Sequence, residues 1–360
     1  YNIVTYMCFN TLKHIMMLNK ICICGHFGFG QNLLNGQTIK TKIVAEELDR
    51  VYGNQNVIKI DTAGGIKALP RIWWQGFIAS FKCKNIITLL SDNGLKAVMP
   101  AFLFYKLIFH NRISHLCLGA ELARYLKRTP WVGMLLHKVD CLYAETNVLK
   151  NALNKGGYEN VNILPNCKSL NPVAESELKL EWKEPYKLCM FARVMKEKGV
   201  EDACNVIKAI NKDAGRMVYT LDIYGQVDSR QTKWFADLQK QFTSAIVYGG
   251  LVPFDKSVEM LKNYFALLFP TKFYVEGVPG TIIDAYASGL PVISSRWESF
   301  ADVIDDKVTG YGYDFDNIEA LKALLIQIAE KPKMITSLKK NCLKKVDYYS
   351  TEHLLDYLKL

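Results

Sequence analysis

Two carboxylates, Glu276 and Asp284, stand on either side of a seven-residue spacer in the run FPTKFYVEGVPGTIIDAYASGLPVISS, residues 269–295. The pattern predicts a strand ending at Phe269, then a loop bearing Glu276, Gly277, Val278, Pro279 and Gly280. A helix should begin near Thr281 and a further strand near Pro291. A helix N-terminus preceded by glycines presents free backbone N–H groups, which is the chemistry that holds a diphosphate. Glu276 falls in the loop and Asp284 about one turn into the helix, so both can face one cleft at different depths. With no ligand to serve, the same residues would make a plain strand–loop–helix with Glu276 as a cap.

Two further runs carry similar chemistry. In FARVMKEKGVEDA, residues 191–203, Arg193 and Lys198 follow an expected strand and precede a helix that starts near Gly199. Two cations at such an edge can neutralise a leaving diphosphate; the alternative is an exposed basic loop. In CGHFGFGQNLLNGQTIKT, residues 24–41, Gly28, Gly30 and Gly36 allow a tight turn and close approach of a ligand to backbone. The glycine order is not that of the G-x-G-x-x-G dinucleotide fingerprint, and Asp61 lies farther along than that fingerprint requires. This disfavours a nicotinamide-dependent oxidoreductase. His26 reads either as functional or as a satisfied loop histidine.

The elements that must position these residues alternate along the chain. Strands are expected at 20–24, 57–61, 85–90, 113–118, 141–145 and 161–164, with helices such as 38–52, 71–81 and 146–155 between them. A stretch without apolar period follows, and a linker is expected over residues 167–186. The alternation then restarts, with strands at 187–191, 220–224, 245–248, 266–269, 291–294 and 310–313. This is the signature of parallel sheets covered by helices. The expected organisation is an extension at 1–19, a first domain at 20–166, the linker, and a second domain at 187–345. A C-terminal helix at 346–360 is expected to return toward the first domain, with Ser350 or Thr351 as its N-cap. Two doubly wound units in tandem bind ligands at the carboxyl ends of their strands, so a cleft between the two is expected.

Composition bounds the class. The chain has 360 residues, 50% hydrophobic and 22% charged, as expected of a globular protein large enough for two domains. Its ten cysteines include no CxxC pair and most sit in apolar runs, so they read as buried thiols of a reducing cytoplasm. Residues 1–165 hold 19 Lys+Arg against 9 Asp+Glu, so the whole net charge of +10 lies in the first half. Such a half suits an anionic partner or, more plainly, a solvated basic surface. No nucleic-acid module is recognisable and no nucleic-acid partner is expected. Residues 95–109 are too interrupted by Lys96, Pro100 and Lys106 to span a membrane, and suit a buried or surface-lying helix. In RIWWQGFIASFKCK, residues 71–84, Trp73, Phe77 and Phe81 fall near one helical face beside Lys82 and Lys84. That face suits an anionic membrane interface, or else packs on the sheet.

Together these segments resemble the retaining GT-B glycosyltransferases of family four, most closely the bacterial enzymes that build surface polysaccharides. The family carries a Glu, seven residues and a second acid, matched here by Glu276 and Asp284, with Asp in place of the more usual Glu. It also carries an Arg, four residues and Lys-Gly, matched by Arg193, Lys198 and Gly199. Further matches are IYGQ at 223–226, YGGLVP at 248–253, LPN at 164–166 and ADVIDDKVTG at 301–310. The resemblance spans residues 20–360 and is sharper in the second half. It implies an α/β GT-B fold, two Rossmann-like domains facing across a cleft. It implies transfer from a nucleotide-diphosphate sugar to a saccharide or polyprenyl-linked acceptor, with retention. The six histidines are scattered, and Arg193 and Lys198 can supply the positive charge, so no metal or other cofactor is expected.

The roles implied by the resemblance are specific. Arg193 and Lys198 would bind the donor diphosphate and Glu276 the hydroxyls of the donor sugar. Gly277, Val278, Pro279, Gly280 and Thr281 would cradle phosphate, and Asp284 would hold the ribose. Tyr224 and Gly225 would lie near the base. His26, Gly28, Gly30 and Gly36 would line the acceptor side. Many relatives have a histidine at the end of the fourth strand; here LCLGAEL places Leu118 there, with His115 three residues earlier, so no histidine is assigned a catalytic role. From the thiols and the aromatic, basic face of residues 71–84, the expected site of action is the cytoplasm, peripheral on the inner face of the cytoplasmic membrane. The competing functions are a GT-B-like sugar-nucleotide epimerase, a sugar phosphorylase, and a non-catalytic sugar-binding relative. The last would be marked by loss of Arg193, Lys198 or Glu276, all of which are present.

Overall fold

The computed structural model describes residues 20–30, 36–117 and 119–358. The expectations for the extension at 1–19 and for Leu118 lie outside the described residues. The chain divides into two compact units. One holds the described residues up to Cys167 and those from Thr351 on; the other runs from Lys168 to Ser350.

The first unit is built on six parallel strands: β1 (Ile21–Gly25), β2 (Val57–Asp61), β3 (Asn85–Leu89), β4 (Arg112–Leu116), β5 (Cys141–Ala144) and β6 (Val161–Ile163). Their order is β2-β1-β3-β4-β5-β6. The sequence of β1, ICICG, explains why the sheet is covered on both faces. Ile21 and Ile23 enter one apolar core, while Cys22 and Cys24 enter the other. A strand buried on both sides has no polar alternation to show. The connecting helices are α1 (Gly36–Tyr52), α2 (Leu69–Lys82), α3 (Asp92–Ala97), α4 (Met99–Phe109), α5 (Leu122–Arg128), α6 (Pro130–Leu136) and α7 (Asn147–Lys155). The end of the chain belongs to this unit too: Leu354 and Leu358 pack in the core of Ile21 and Ile23, and the Tyr143 hydroxyl donates to the Leu358 carbonyl at 2.6 Å.

The second unit repeats the plan with β7 (Tyr186–Phe191), β8 (Tyr219–Tyr224), β9 (Ile246–Gly250), β10 (Ala266–Phe269), β11 (Val292–Ser295) and β12 (Gly310–Tyr313). Their order is β12-β11-β10-β7-β8-β9, all parallel. Its helices include α8 (Val200–Ala214), α9 (Thr232–Gln239), α10 (Ser257–Leu261) and α11 (Gly280–Ala287). Along β7, Leu188 and Met190 enter the core that α8 covers, whereas Cys189 enters the core that α11 covers. Each expected strand is present, with ends displaced by at most two residues.

The stretch expected to be a linker differs. From Lys168 onward it is part of the second unit. The Lys168 N–H donates to the Tyr349 carbonyl at 3.0 Å and the Val173 N–H to the Ala287 carbonyl at 2.9 Å. Irregular backbone laid on a folded unit shows no period of its own, so in sequence it looks like a connector. The nine described cysteines are free thiols and all are buried. Among the described residues no helix is long and apolar enough to cross a membrane.

Strand order fixes where each unit can hold a ligand. Connections leave β7 toward β8 on one side and β10 toward β11 on the other, so the switch point of the second unit lies between β7 and β10. In the first unit it lies between β1 and β3.

His115, on β4, is fully buried, with Nδ1 at 2.9 Å from the Thr88 hydroxyl oxygen and Nε2 without a partner. Burial holds its pKa down to about 4 despite the Thr88 contact, and nearby Lys40 adds to the effect. A histidine whose folded pKa lies below its unfolded value near 6.5 binds its proton more weakly when folded. Stability should therefore fall as pH drops from about 6.5 to about 4, by up to about 3 kcal/mol. Urea unfolding measured across that range should show the slope, and His115→Gln should flatten it. An identical slope in the variant would assign the effect to other groups.

Candidate active site

Two loops leave the carboxyl ends of β7 and β10, the strands that flank the second switch point, and glycine makes their approach possible. Gly199 has φ 70°, and a Cβ there would lie 1.9 Å from the Pro270 carbonyl oxygen. Any other residue would both strain the backbone and collide with the neighbouring loop. Across this contact the Lys272 N–H donates to the Glu197 carbonyl at 2.9 Å. Two serines of β11 hold the second loop from the other side. The Ser294 hydroxyl donates to the Phe269 carbonyl at 2.7 Å and the Ser295 hydroxyl to the Thr271 carbonyl at 2.6 Å.

This scaffold brings Lys198 and Glu276 into a half-buried ion pair, Nζ to Oε2. The Thr271 hydroxyl donates to the same carboxylate oxygen at 3.3 Å, and the ammonium lies 5.4 Å from the centre of the Phe269 ring. Beside the pair, α11 begins at Gly280 behind Pro279, and no side chain caps its N-terminus. The Thr281 hydroxyl in this first turn is buried and has no partner. Uncapped N–H groups, a spare hydroxyl and a cation together favour an anion.

Arg193 is brought to the same edge but not into the pair. Its half-exposed guanidinium lies 3.7 Å from Asp228. The Arg230 side chain and N–H both hydrogen-bond the Asp228 carboxylate and hold its pKa down to about 2, with Arg193 adding to the effect. Gly225 makes the loop geometry possible: at φ 135°, a Cβ would lie 1.9 Å from the Ala192 carbonyl oxygen. Tyr224 packs its ring against Gly249 and shares a hydroxyl contact of 2.9 Å with Tyr264.

Asp284 meets a different cation from Glu276. It is buried on α11 with its carboxylate bonded to the Lys168 ammonium. Burial raises its pKa, while Lys168 and Ser257 oppose the rise. The Gly280 Cα faces the Lys168 stem, which an added Cβ would meet at 3.9 Å. A ribose at this carboxylate would have to share it with Lys168.

The first unit's switch point opens into a pocket of about 530 Å³. His26, Gln37, Thr62, Ser91 and Asn93 give it a polar side; Ile66, Leu69, Ile72, Ala97 and Val98 give it an apolar one. His26 Nδ1 lies 2.8 Å from the Thr38 hydroxyl oxygen. Gly28, Gly30 and Gly36 do not line this pocket. The glycine loop is instead closed on Asp61, whose carboxylate accepts from the N–H groups of Phe27 (2.9 Å), Gly28 (3.3 Å), Phe29 (3.0 Å) and Ala63 (2.9 Å). Burial pushes the Asp61 pKa up, but these four donors outweigh it and the net direction is down. The turn that would cradle phosphate in a dinucleotide-binding protein is already occupied by the chain's own carboxylate. Nearby, Lys40 and Glu145 form a buried ion pair at 2.5 Å.

Sequence reasoning passed over Lys168, Asp228, Thr271 and the Lys40–Glu145 pair. Lys168 stands two residues after the LPN run and Asp228 two after IYGQ, but neither position says which acid or base it meets. Among the described residues no group of three or more His, Cys, Asp or Glu side chains is placed to hold a metal ion.

Comparisons with known proteins bear on the chain's relatives and its fold. Residues 174–345 match the family described as "Glycosyl transferases group 1". The chain is similar to the amylovoran biosynthesis glycosyltransferase AmsK of Erwinia amylovora, 24% identical over 151 residues, which are 41% of this chain and 37% of that relative. It is also similar to an uncharacterized glycosyltransferase of Methanocaldococcus jannaschii, 22% identical over 282 residues, 72% of this chain and 69% of the relative. The crystal structure of Anabaena HepE in complex with UDP superposes with a TM-score of 0.73 at 11% identity, covering 94% of this chain and 98% of that one. The likeness establishes the GT-B fold, two Rossmann-like units in one chain.

The buried pair makes a stability test. Removing one partner of a buried ion pair strands the other, at about 3–5 kcal/mol, whereas replacing both by apolar residues is often nearly neutral. Lys168→Met should therefore lower the unfolding free energy by that amount. Lys168→Met/Asp284→Leu should recover most of it in denaturant titration. Equal loss in both variants would show that the pair itself, not the stranded charge, sets the cost.

Proposed function

We propose that this chain transfers a sugar from a nucleotide-diphosphate sugar to a saccharide or polyprenyl-linked saccharide acceptor, with retention, in the making of cell-surface polysaccharide. It works in the cytoplasm, peripheral on the inner face of the membrane. The Lys198–Glu276 pair beside the uncapped start of α11 carries this reading. It sets a cation, a carboxylate and free N–H groups at the switch point where a doubly wound sheet collects ligands. The match of residues 174–345 to a glycosyltransferase family and the UDP held by HepE support it.

In this reading the ammonium of Lys198 keeps one N–H on Glu276 and offers the others to the diphosphate. Arg193, held at its base by Asp228, reaches the same group. The backbone from Gly277 to Thr281, with the Thr281 hydroxyl, meets the phosphate oxygens. Glu276 accepts from the donor sugar's hydroxyls, Asp284 shares its carboxylate between Lys168 and the ribose, and Tyr224 and Gly225 lie near the base. The acceptor side is the first unit's strand edge, with His26, Gly28, Gly30 and Gly36.

The reaction follows from where charge moves. The acceptor hydroxyl oxygen bonds to C1 of the sugar on the face that the leaving group vacates. The bond from C1 to the diphosphate oxygen breaks, and that oxygen takes the acceptor's proton. No protein base is needed. Negative charge grows on the diphosphate, so fixed cations and N–H dipoles stabilise the transition state more than the ground state. That field serves in place of a metal ion.

Loss of one such electrostatic partner typically costs about 10²–10³-fold in turnover. Arg193→Ala and Lys198→Ala should each lower kcat by about that factor, with a smaller loss of nucleotide affinity. Glu276→Ala should lose turnover through misplacement of the sugar, whereas Asp284→Ala should chiefly weaken nucleotide binding. The measurement is kcat beside calorimetric affinity for UDP, GDP and ADP. Near-normal turnover in the Arg193 and Lys198 variants would move the diphosphate elsewhere. Activity should also survive EDTA; loss restored by manganese would overturn the metal-free reading.

A further inference from the structure

The first unit carries an exposed apolar surface that the transfer chemistry does not use. On α2 the buried residues are Ile72, Gly76, Ala79 and Ser80, so the helix turns its small side to the core. Trp73, Trp74, Phe77 and Phe81 are left at 39–64% exposure. The sequence alternative, that this stripe packs on the sheet, is not what the fold does. Neighbouring α4 adds Phe104, Leu107 and Ile108, exposed by 60, 76 and 50%.

The two helices pack against each other. The Tyr105 hydroxyl donates to the Trp73 carbonyl at 3.1 Å, and the Trp73 indole donates to the Ala97 carbonyl at 3.0 Å. The Phe77 ring meets Tyr105 and Phe109 edge-on at 5.7 and 5.4 Å. Exposed aromatic and aliphatic side chains that touch one another mark an interaction surface rather than scattered apolar residues.

Charge tells what covers it. Lys67, Lys82 and Lys84 are exposed beside α2, whereas Lys106 of α4 is paired with Asp140. Lys96, also exposed, sits between α2 and α4 in the chain. With a period of about 100° per residue, Lys82 projects roughly a quarter-turn from the line of Trp74, Phe77 and Phe81. Aromatic side chains bordered by lysines match the interface of an anionic bilayer, in which rings enter the headgroup layer and ammonium groups meet lipid phosphates. Charge would not favour a second copy of this basic unit on the same face.

We propose that α2 and α4 together form the surface by which this chain docks on an anionic lipid bilayer. This gives a physical site to the peripheral location in the proposed function, and it rests on that reading only for the identity of the acceptor. The pocket at the first switch point lies at the edge of the same surface: Leu69 and Ile72 of α2 form part of its apolar side, with Ala97 and Val98 just before α4. A membrane-borne amphiphile could thus place its polar head beside His26 and Ser91 without its chain leaving the lipid.

The test needs no donor or acceptor, so its outcome is separate from that of the transferase reading. The whole chain is co-sedimented with vesicles of phosphatidylcholine, with and without phosphatidylglycerol. Each lysine at an anionic surface contributes about fivefold in partitioning. Lys82→Gln/Lys84→Gln should therefore weaken binding to the phosphatidylglycerol vesicles by roughly 25-fold. Trp74→Ala/Leu107→Ala should weaken it as well, with circular dichroism and the unfolding midpoint unchanged in both variants. Equal binding to the two kinds of vesicle, or none to either, overturns the proposal. So does self-association that Leu107→Asp abolishes in sedimentation equilibrium, since the face would then belong to a second copy.

Discussion

The candidate site of the second unit depends on one steric constraint, the approach of Gly199 to the carbonyl of Pro270. Nothing larger than hydrogen fits there, and the φ of 70° is one that L side chains rarely adopt. With this contact made, the loop after β7 and the loop after β10 become one surface. Lys198 then reaches Glu276 across 78 residues of chain, and the start of α11 is presented beside them. Without it the cation and the carboxylate would be two exposed side chains on separate loops, and exposed pairs contribute little.

The first unit answers the same topological problem differently. It too has glycines in the loop after its first strand, and there the chain's own Asp61 carboxylate closes the turn. Four N–H donors that elsewhere would bind phosphate are spent on holding the turn. The result is a rigid edge with an adjoining pocket that is apolar on one side, rather than a phosphate cradle. Two units with the same architecture thus differ at their glycine-bearing loops, one closed on Asp61 and the other leading to an uncapped helix start.

Buried charge marks both edges. Lys40–Glu145 in one unit and Lys168–Asp284 in the other are each nearly removed from water. Such pairs are weak sources of net stability, because desolvation offsets most of the attraction. What they supply is position. An ammonium bonded to Asp284 fixes the side chain's rotamer and orients α11 relative to the chain at Lys168.

The sequence by itself determined the periodic features. The twelve strands among the described residues were legible because apolar runs bounded by turn residues are local properties, and burial on both faces makes them nearly continuous. The spacing from Glu276 to Asp284, and from Arg193 to Lys198, was legible for the same reason. Tertiary structure alone decided the partners. Glu276 and Asp284, paired by spacing, meet different partners, Lys198 for the one and Lys168 for the other. Arg193 and Lys198 diverge likewise, one to Asp228 and the other to Glu276. The apolar stripe of α2 was visible in sequence, but which side faces the core depends on α4 and on the sheet beneath it. The stretch after Cys167 reads as a linker because irregular backbone owes its order to contacts far along the chain, and no local pattern encodes those.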